Sequence, residues 1–381
     1  MNHLKLIPAI LINLIFFSCV YGQAQKHEYK AIPALYFPKP TVLAAYRAQA
    51  DSAKRNAYDL TNSLPANFVT DASVDYTKYL QDGINKNRTV VFPNFPVMVD
   101  ETGLILKSNS TIIFSPNSKI ILKPTSLGSY QILSMSDVNN ITIYFPVIIG
   151  DRDHHLGDKG EWGMGISIVN ATNIKLINPK VSKCWGDGIY IGKRGTETKN
   201  IQIYYAQLDY NRRNGLSVIS VVGLYLKYPL ITNTMGTAPM SGIDFEPNEN
   251  ADELSHVEID NLITYNNQNI GLQFDFSHLS GPNAKVLDIK VNNHLDYGSS
   301  YGVGYYYWPH ANTAAAPFNG AITISNSVYD NNIKGFNDYK SAKNGINLNF
   351  NNVKVYKKDA NNNNIIDNDN MAAIDKFVHR N

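Results

Sequence analysis

GISIVN (165–170), GIYIGK (188–193), GLSVIS (215–220), GIDFEP (242–247), GLQFDF (271–276), GVGYYYW (302–308) and GFNDYK (335–340) are seven restarts of one pattern, a glycine followed by alternating residues. The glycines are 23, 27, 27, 29, 31 and 33 residues apart. Alternation of period two marks a strand, and its return at a slowly drifting interval marks strands stacked coil upon coil. Between these runs lies a second series: NIKLINPKV (173–181), NIQIYYAQL (200–208), GLYLKYPLI (223–231), HVEIDNLITY (256–265), KVLDIKVNN (285–293), AITISNSVY (321–329) and GINLNFNNVKVY (345–356). Each coil is therefore expected to hold two strands joined by Asn- and Gly-rich turns. Connections this short leave no room for crossover helices, which predicts an all-β solenoid of parallel strands, a β-helix.

The rest of the chain fits one elongated domain, because a solenoid of 381 residues grows by adding coils and need not split into separate cores. A net charge of +2, with no basic stripe, argues against nucleic acid as a partner. The 24 tyrosines supply flat amphipathic faces of the kind that meet sugars or proteins. Residues 1–22 have the charge (Lys5), apolar stretch and small-residue exit of a secretory signal, which predicts export. The FFSC ending at Cys19 is also close to a lipoprotein box and offers a lipid anchor, with Phe16 in place of the usual leucine. Either exit leaves Cys184 as the single internal cysteine, so no intramolecular disulfide is expected.

Within residues 23–70, Leu43, Tyr46, Ala50 and Ala53 share one helical face. A second helical pattern, VDYTKYLQDGINKN from Val74, places Tyr76, Tyr79, Leu80 and Ile84 together just before the first strands. That is where a solenoid needs a helical cap over its open first coil. Residues 358–381, beyond the repeat, read as a solvated polar tail; Asp359, Asn361, Asn363, Asp367 and Asp369 resemble a calcium loop only loosely, since Asn364 stands where its turn glycine belongs and no Glu closes it.

A cap helix running into VVFPNFPV (90–97), then SNSTIIFSPNSKIIL (108–122), then coils such as NIKLINPKV, resembles the right-handed parallel β-helix proteins of the pectate-lyase-like superfamily. The resemblance spans residues 71–357. It implies a right-handed parallel β-helix with an N-terminal helical cap, and a function among polysaccharide lyases, glycoside hydrolases, uronan epimerases, tailspikes and adhesins, between which fold does not choose.

Chemistry is sought where outward side chains of neighbouring coils meet. If Ile243 and Phe245 point inward, Asp244 and Glu246 point out together, about 7 Å apart, and Asp275 follows beside Glu246 at about one strand spacing of 4.8 Å. Crowded carboxylates raise one another's pKa, as a general acid requires. The plain alternative is an acid pair answering Arg212 and Arg213; Arg212, Asp187 and Asp275 are also candidates for contact with the substrate. For β-elimination from a uronate, Arg213 would neutralise the carboxylate, Lys193 would remove the proton and Tyr190 would protonate the leaving oxygen; a turn lysine and a packing tyrosine are the alternatives. The insertion IIGDRDHHLGDKGEWGMG (148–165) offers Arg152, His154 and His155 to a substrate, and similar segments in the superfamily line the sugar groove. His154 or His155 is also a candidate base, and the spacing fits no zinc motif. Asp187 in WGDG is a catalytic candidate or a turn-maker. Trp185, Tyr301, Tyr306, Trp308 and His310 are candidate stacking residues.

The expectation is an exported, monomeric β-helix enzyme, requiring no cofactor, that cleaves an acidic polysaccharide by elimination. The alternatives are an inverting hydrolase using Asp244 with Glu246 or Glu246 with Asp275, a C5-epimerase, and a glycan-binding protein without catalysis. The calcium-aspartate set of pectate lyases and the paired-aspartate signatures of polygalacturonases are both absent from the sequence.

Overall fold

A computed structural model describes residues 27–279, 281, 286–308, 319–339 and 346–380. The chain winds as a right-handed parallel β-helix of about nine turns. Its strands form three faces of eleven, nine and eleven strands, and in each face every coil pairs with the coils before and after it. The glycine-led runs are the nine-stranded face, called here the glycine face.

Each coil holds three strands where two were expected. The second series of runs bends in its middle, so that NIKLINPKV supplies Thr172–Ile177 to one face and Lys180–Ser182 to the next. The bend is a single residue in the left-handed region: Asn178, Tyr205, Tyr228, Asn261, Asn293 and Asn326 all have φ between 48° and 58°. Asparagine tolerates this region better than other side chains with a Cβ, which gives the abundance of Asn a structural reason. A second column of left-handed asparagines stacks by amide hydrogen bonds, Asn140 to Asn109 (2.9 Å), Asn173 to Asn140 (2.9 Å) and Asn200 to Asn173 (2.6 Å).

The leading glycines are required by space. At Gly215 a Cβ would collide with the Ile231 side chain and sit 2.7 Å from the carbonyl oxygen of Gly242, the next glycine in the column. Inside, like residues stack on like, as in the Phe92–Phe114 (4.3 Å) and Phe245–Phe274 (5.4 Å) ring pairs.

Both ends are capped. Helix α1 (Ala44–Lys54) lays Ala50 against Val91 and Ile113, and α2 (Thr77–Lys86) buries Leu80 and Ile84 over the first coil. The segment before residue 71 is more than helical: Tyr58–Asp59 pairs with Val90–Val91 and begins one face. Upstream, residues 27–46 run along the outside of the coils. Lys30 N–H donates to Asn233 Oδ1 (3.0 Å), and Tyr29, Tyr36 and Tyr46 meet Tyr210, Tyr265 and Tyr204 edge-on or tilted.

The expected polar tail is instead a second cap. Residues Asn364–Ile366 turn back antiparallel on Lys354–Lys358, and α3 (Asn368–Arg380) buries Ile374 and Phe377 against the last coil. The Asn370 amide accepts from Phe336 N–H (3.0 Å) and donates to Phe336 C=O (3.2 Å), standing in for the strand that would come next. Two acids of the loosely calcium-like run, Asp367 and Asp369, pair with Lys357 at 3.0 and 3.2 Å. The reason is the apolar spacing of Ile374 and Phe377, one helical turn apart within an otherwise polar stretch. No helix of the described residues is long and apolar enough to cross a membrane, and the leader with Cys19 lies outside the described residues.

Gly215→Ala is expected to cost about 1–3 kcal/mol, the range for overpacking a filled site. Thermal unfolding should show a clear drop in midpoint for this variant and almost none for Ile333→Ala, whose side chain is strongly exposed.

Candidate functional site

The outward column of the glycine face reads Ser134, Ser167, Tyr190, Ser217, Asp244, Gln273, Gly304, each residue paired with the next in register. Because the strands are parallel and in register, residues far apart in sequence become lateral neighbours, and one arginine gathers carboxylates from several coils. Arg213 Nη2 meets Glu246 Oε2 at 2.7 Å, its Nη1 meets Asp187 Oδ2 at 3.3 Å and Ser217 Oγ at 3.4 Å, and its Nε lies 3.9 Å from Glu161 Oε2. Beneath this fork, Asn214 binds two of the acids. Its backbone N–H donates to Asp187 Oδ1 (3.0 Å) and its side chain donates to Asp244 Oδ2 (3.0 Å).

The electrostatics follow from burial. Asp187 is fully buried, and desolvation pushes its carboxyl up to about 6 although Arg213 pulls the other way. Asp244, also 0 % exposed, is held well above the usual carboxylate range by burial first and then by Glu246. Burial also raises Asp275 against two opposing hydrogen bonds from Ser277, with Glu246 adding to the rise. Burial would lower the Arg213 guanidinium, but Asp187, Glu246 and Asp244 outweigh it and hold the charge firmly.

The sequence expectations divide here. Arg213, Asp187, Asp244 and Glu246 share one site, and Tyr190 stands beside Ser217 at its edge, its ring folded over the bare Gly192. Asp275 follows one residue after the Phe245–Phe274 pair, which sets it next to Glu246, and Tyr306 pairs with Asp275 in the following coil. The acid expected at Asp244 lies too deep to touch a sugar. Alternation correctly turns it out of the core, but Asn214, Ser217 and Gln273 pack around it. Of the carboxylates on this face, Glu246, 27 % exposed, and Asp275 are the ones nearer the surface.

Lys193 does not join them. Its ammonium binds Glu197 at 2.8 Å and Asp252 at 3.5 Å with the side chain 8 % exposed. Burial lowers its pKa, but these two acids more than reverse that, so it stays protonated and cannot serve as the expected base. Two of the three basic or aromatic loop candidates are also structural. The His155 ring stacks on Trp185 (3.8 Å), Arg212 covers Trp185 (3.8 Å), and His155 Nδ1 pairs with the buried Asp151 at 2.7 Å. Arg212 Nη1 donates to the carbonyls of Gly160 and Trp185, so this stack fastens the insertion loop and with it Glu161. Arg152 lies over Tyr210 (3.7 Å) and donates to its carbonyl, whereas His154 is exposed. Tyr306 stacks on Tyr339 (3.9 Å), and burial raises its phenol to about 12. Trp308 is exposed, Tyr301 touches Tyr339 edge-on (5.5 Å), and His310 lies outside the described residues.

One site residue was missed from the sequence, Asn214. The only available signal for Asn214 was its place three residues before Ser217, in the loop that leads into the strand. No group of three or more His, Cys, Asp or Glu among the described residues is arranged to hold a metal.

Asp187→Asn should change how stability depends on pH. The folded state binds this proton more tightly than the unfolded chain, so the neutral form costs nothing below the ordinary carboxylate value near 4. Stability is then lost as pH rises toward 6 and beyond, by about 3 kcal/mol at most. Denaturant unfolding at pH 4 and pH 7 should show a steeper loss in the native protein than in Asp187→Asn; parallel curves would be the contrary result.

No family model matches this chain. It is 28 % identical over 279 residues to the uncharacterized protein YclG of Bacillus subtilis strain 168, a match that covers 65 % of this chain and 47 % of that one. The chain thus spans about half the length of that curated relative. Among solved structures it resembles the N-terminal fragment of bacteriophage phi29 gene product 12, with a TM-score of 0.56, 14 % identity, and coverage of 84 % of this chain and 56 % of that one. It also resembles the endo-xylogalacturonan hydrolase of Aspergillus tubingensis, with a TM-score of 0.52, 12 % identity, and coverage of 75 % and 81 %. At these identities the likeness is one of fold.

Proposed function

We propose that the protein is a polysaccharide-active enzyme that hydrolyses a glycosidic bond on its glycine face, with Asp275 as general acid and Glu246 as the second carboxylate. The observation that carries this reading is the neighbouring placement of Glu246 and Asp275 near the surface, above a buried layer of Asp187, Arg213 and Asp244. Glycoside hydrolysis needs one carboxyl that holds its proton and one that is ionised. Burial supports the first role for Asp275, and the 2.7 Å ion pair with Arg213 supports the second for Glu246. Adjacent strands lie about 4.8 Å apart, which brings both side chains within reach of one glycosidic bond. Asp275 would protonate the leaving oxygen, and Glu246 would act on the opposite side of the sugar.

β-Elimination from a uronate has less support. Lys193 is committed to Glu197 and Asp252, and Arg213 already serves several carboxylates. A uronate at this face would meet Glu161, Glu246 and Asp275, and Arg213 among them is already paired with Glu246 and Asp187. Export, with or without the Cys19 anchor, is the setting that a polysaccharide substrate fits.

The test is incubation with a panel of neutral, amino and uronate polysaccharides. New reducing ends with no new ultraviolet absorbance are expected. Glu246→Gln and Asp275→Asn should each lose about 10²–10⁴-fold in rate while staying folded. Unsaturated, ultraviolet-absorbing product would favour elimination, and binding without product would favour a non-catalytic role.

A further inference from the structure

We infer that the protein carries a second glycan-binding groove, on the corner away from the glycine face, and that it holds an acidic polysaccharide there without cleaving it. The inference stands apart from the hydrolytic reading.

The groove runs where the two eleven-stranded faces meet at the left-handed bend. The N-terminal segment and α1 form its outer wall, and two cavities of about 280 and 450 Å³ follow one another along it. Its inner wall is the column Phe145, Asn178, Tyr205, Tyr228, Asn261, Asn293, each tied through its backbone N–H to the coil that follows. Five coil spacings make this column about 24 Å long, room for an oligosaccharide. Between the cavities Tyr46 leans on Tyr204 (5.8 Å) and Tyr205 (6.2 Å).

The first observation is unanswered positive charge. Arg47, Lys54 and Lys180 line one cavity and Lys39 the other, and Asp51 is the one acid in either lining. None of these four cations makes an ion pair among the described residues. Lys54 reaches only Ser115 Oγ (3.5 Å), and Arg47 rests over the Phe145 ring (4.9 Å), which leaves its charge uncompensated. Lys180 reaches solvent, but the walls around it and, after them, the charge of Arg47 pull its ammonium below the ordinary lysine value. Cations crowded in this way gain from an anion, and carboxylates are the natural partners of a guanidinium.

The second observation is where the aromatic rings stand. Phe145, Tyr205 and Tyr228 take the left-handed conformation (φ 57°, 56° and 56°) that belongs to asparagine in the neighbouring coils, and an aromatic side chain pays for it in backbone energy. Core packing does not ask for this. Tyr228 is 49 % exposed, and its ring lies parallel to Tyr205 at 4.9 Å, so the pair presents flat faces to the second cavity. Flat rings beside polar amides and cations suit a sugar ring that bears a carboxylate. No pair of carboxyl groups lines either cavity, so the groove binds and does not hydrolyse.

Calorimetry on the full chain should compare a polygalacturonate hexamer with its methyl ester. The acid hexamer is expected to bind at least about tenfold more tightly at low salt, an advantage that shrinks as salt is raised. Lys180→Gln should remove roughly threefold or more of that advantage. Tyr228→Asn should weaken both oligomers by about three- to tenfold; asparagine is the residue this backbone suits, so the variant is expected to fold normally. Glu246→Gln should leave hexamer binding unchanged. Equal binding of acid and ester would overturn the inference, as would binding that neither Lys180→Gln nor Tyr228→Asn reduces, or that Glu246→Gln abolishes. Tighter binding of an oligothymidylate of equal charge would also overturn it, by giving the groove to nucleic acid. The two proposals fail separately. A chain that cleaves no glycan yet binds the acid hexamer in this way keeps the groove and loses the hydrolytic reading. Cleavage that depends on Asp275, with no binding at the groove, does the reverse.

Discussion

Coils stacked in register at one strand spacing leave every side chain with a neighbour above and below it, about 4.8 Å away. Most of the other features follow from this constraint. It forces glycine where the chain enters the glycine face, because each glycine carbonyl occupies the space a Cβ in the preceding coil would need. It turns the left-handed bends into asparagine ladders, because an amide can donate to the coil below and accept from the coil above. It also makes the open ends costly, which is why helices close both of them and why the Asn370 amide imitates a strand.

The same constraint builds the site. Stacking would set Asp187, Asp244, Glu246 and Asp275 close enough to repel one another, and Arg213 is the counter-charge that makes the crowding tolerable. Burial raises the proton affinity of Asp187 and Asp244, which eases the remaining repulsion. That leaves Glu246 held by the guanidinium and Asp275 raised by burial, the two carboxyl groups on which the proposed hydrolysis draws. Lys193 shows the contrasting outcome, a cation fully used in joining Glu197 of its own coil to Asp252 of a later loop.

The parts visible in the sequence were those set by local periodicity. The glycine interval and the alternation gave the solenoid, and they placed Asp244, Glu246 and Asp275 outside the apolar core. The parts that stayed hidden depend on contacts across coils. Alternation says that Asp244 leaves the core, but not that Asn214 and Ser217, thirty and twenty-seven residues earlier, close over it. His155 and Arg212 looked available because nothing local shows that both flank Trp185. The bend at Asn178 was hidden inside an unbroken alternating run, and α3 was hidden by its polar composition, with only Ile374 and Phe377 marking its buried side.

The central claim is that burial raises the proton affinity of the carboxylates stacked around Arg213 and that the guanidinium restrains the rise. The most direct measurement is carbon-detected titration of the Asp187 and Asp244 carboxyl groups in the native protein and in Arg213→Met. The account predicts a native midpoint for Asp187 near 6, one for Asp244 well above the usual carboxylate range, and upward movement of both when the guanidinium is removed. Native midpoints near the ordinary carboxylate value of about 4, unmoved by Arg213→Met, would contradict it.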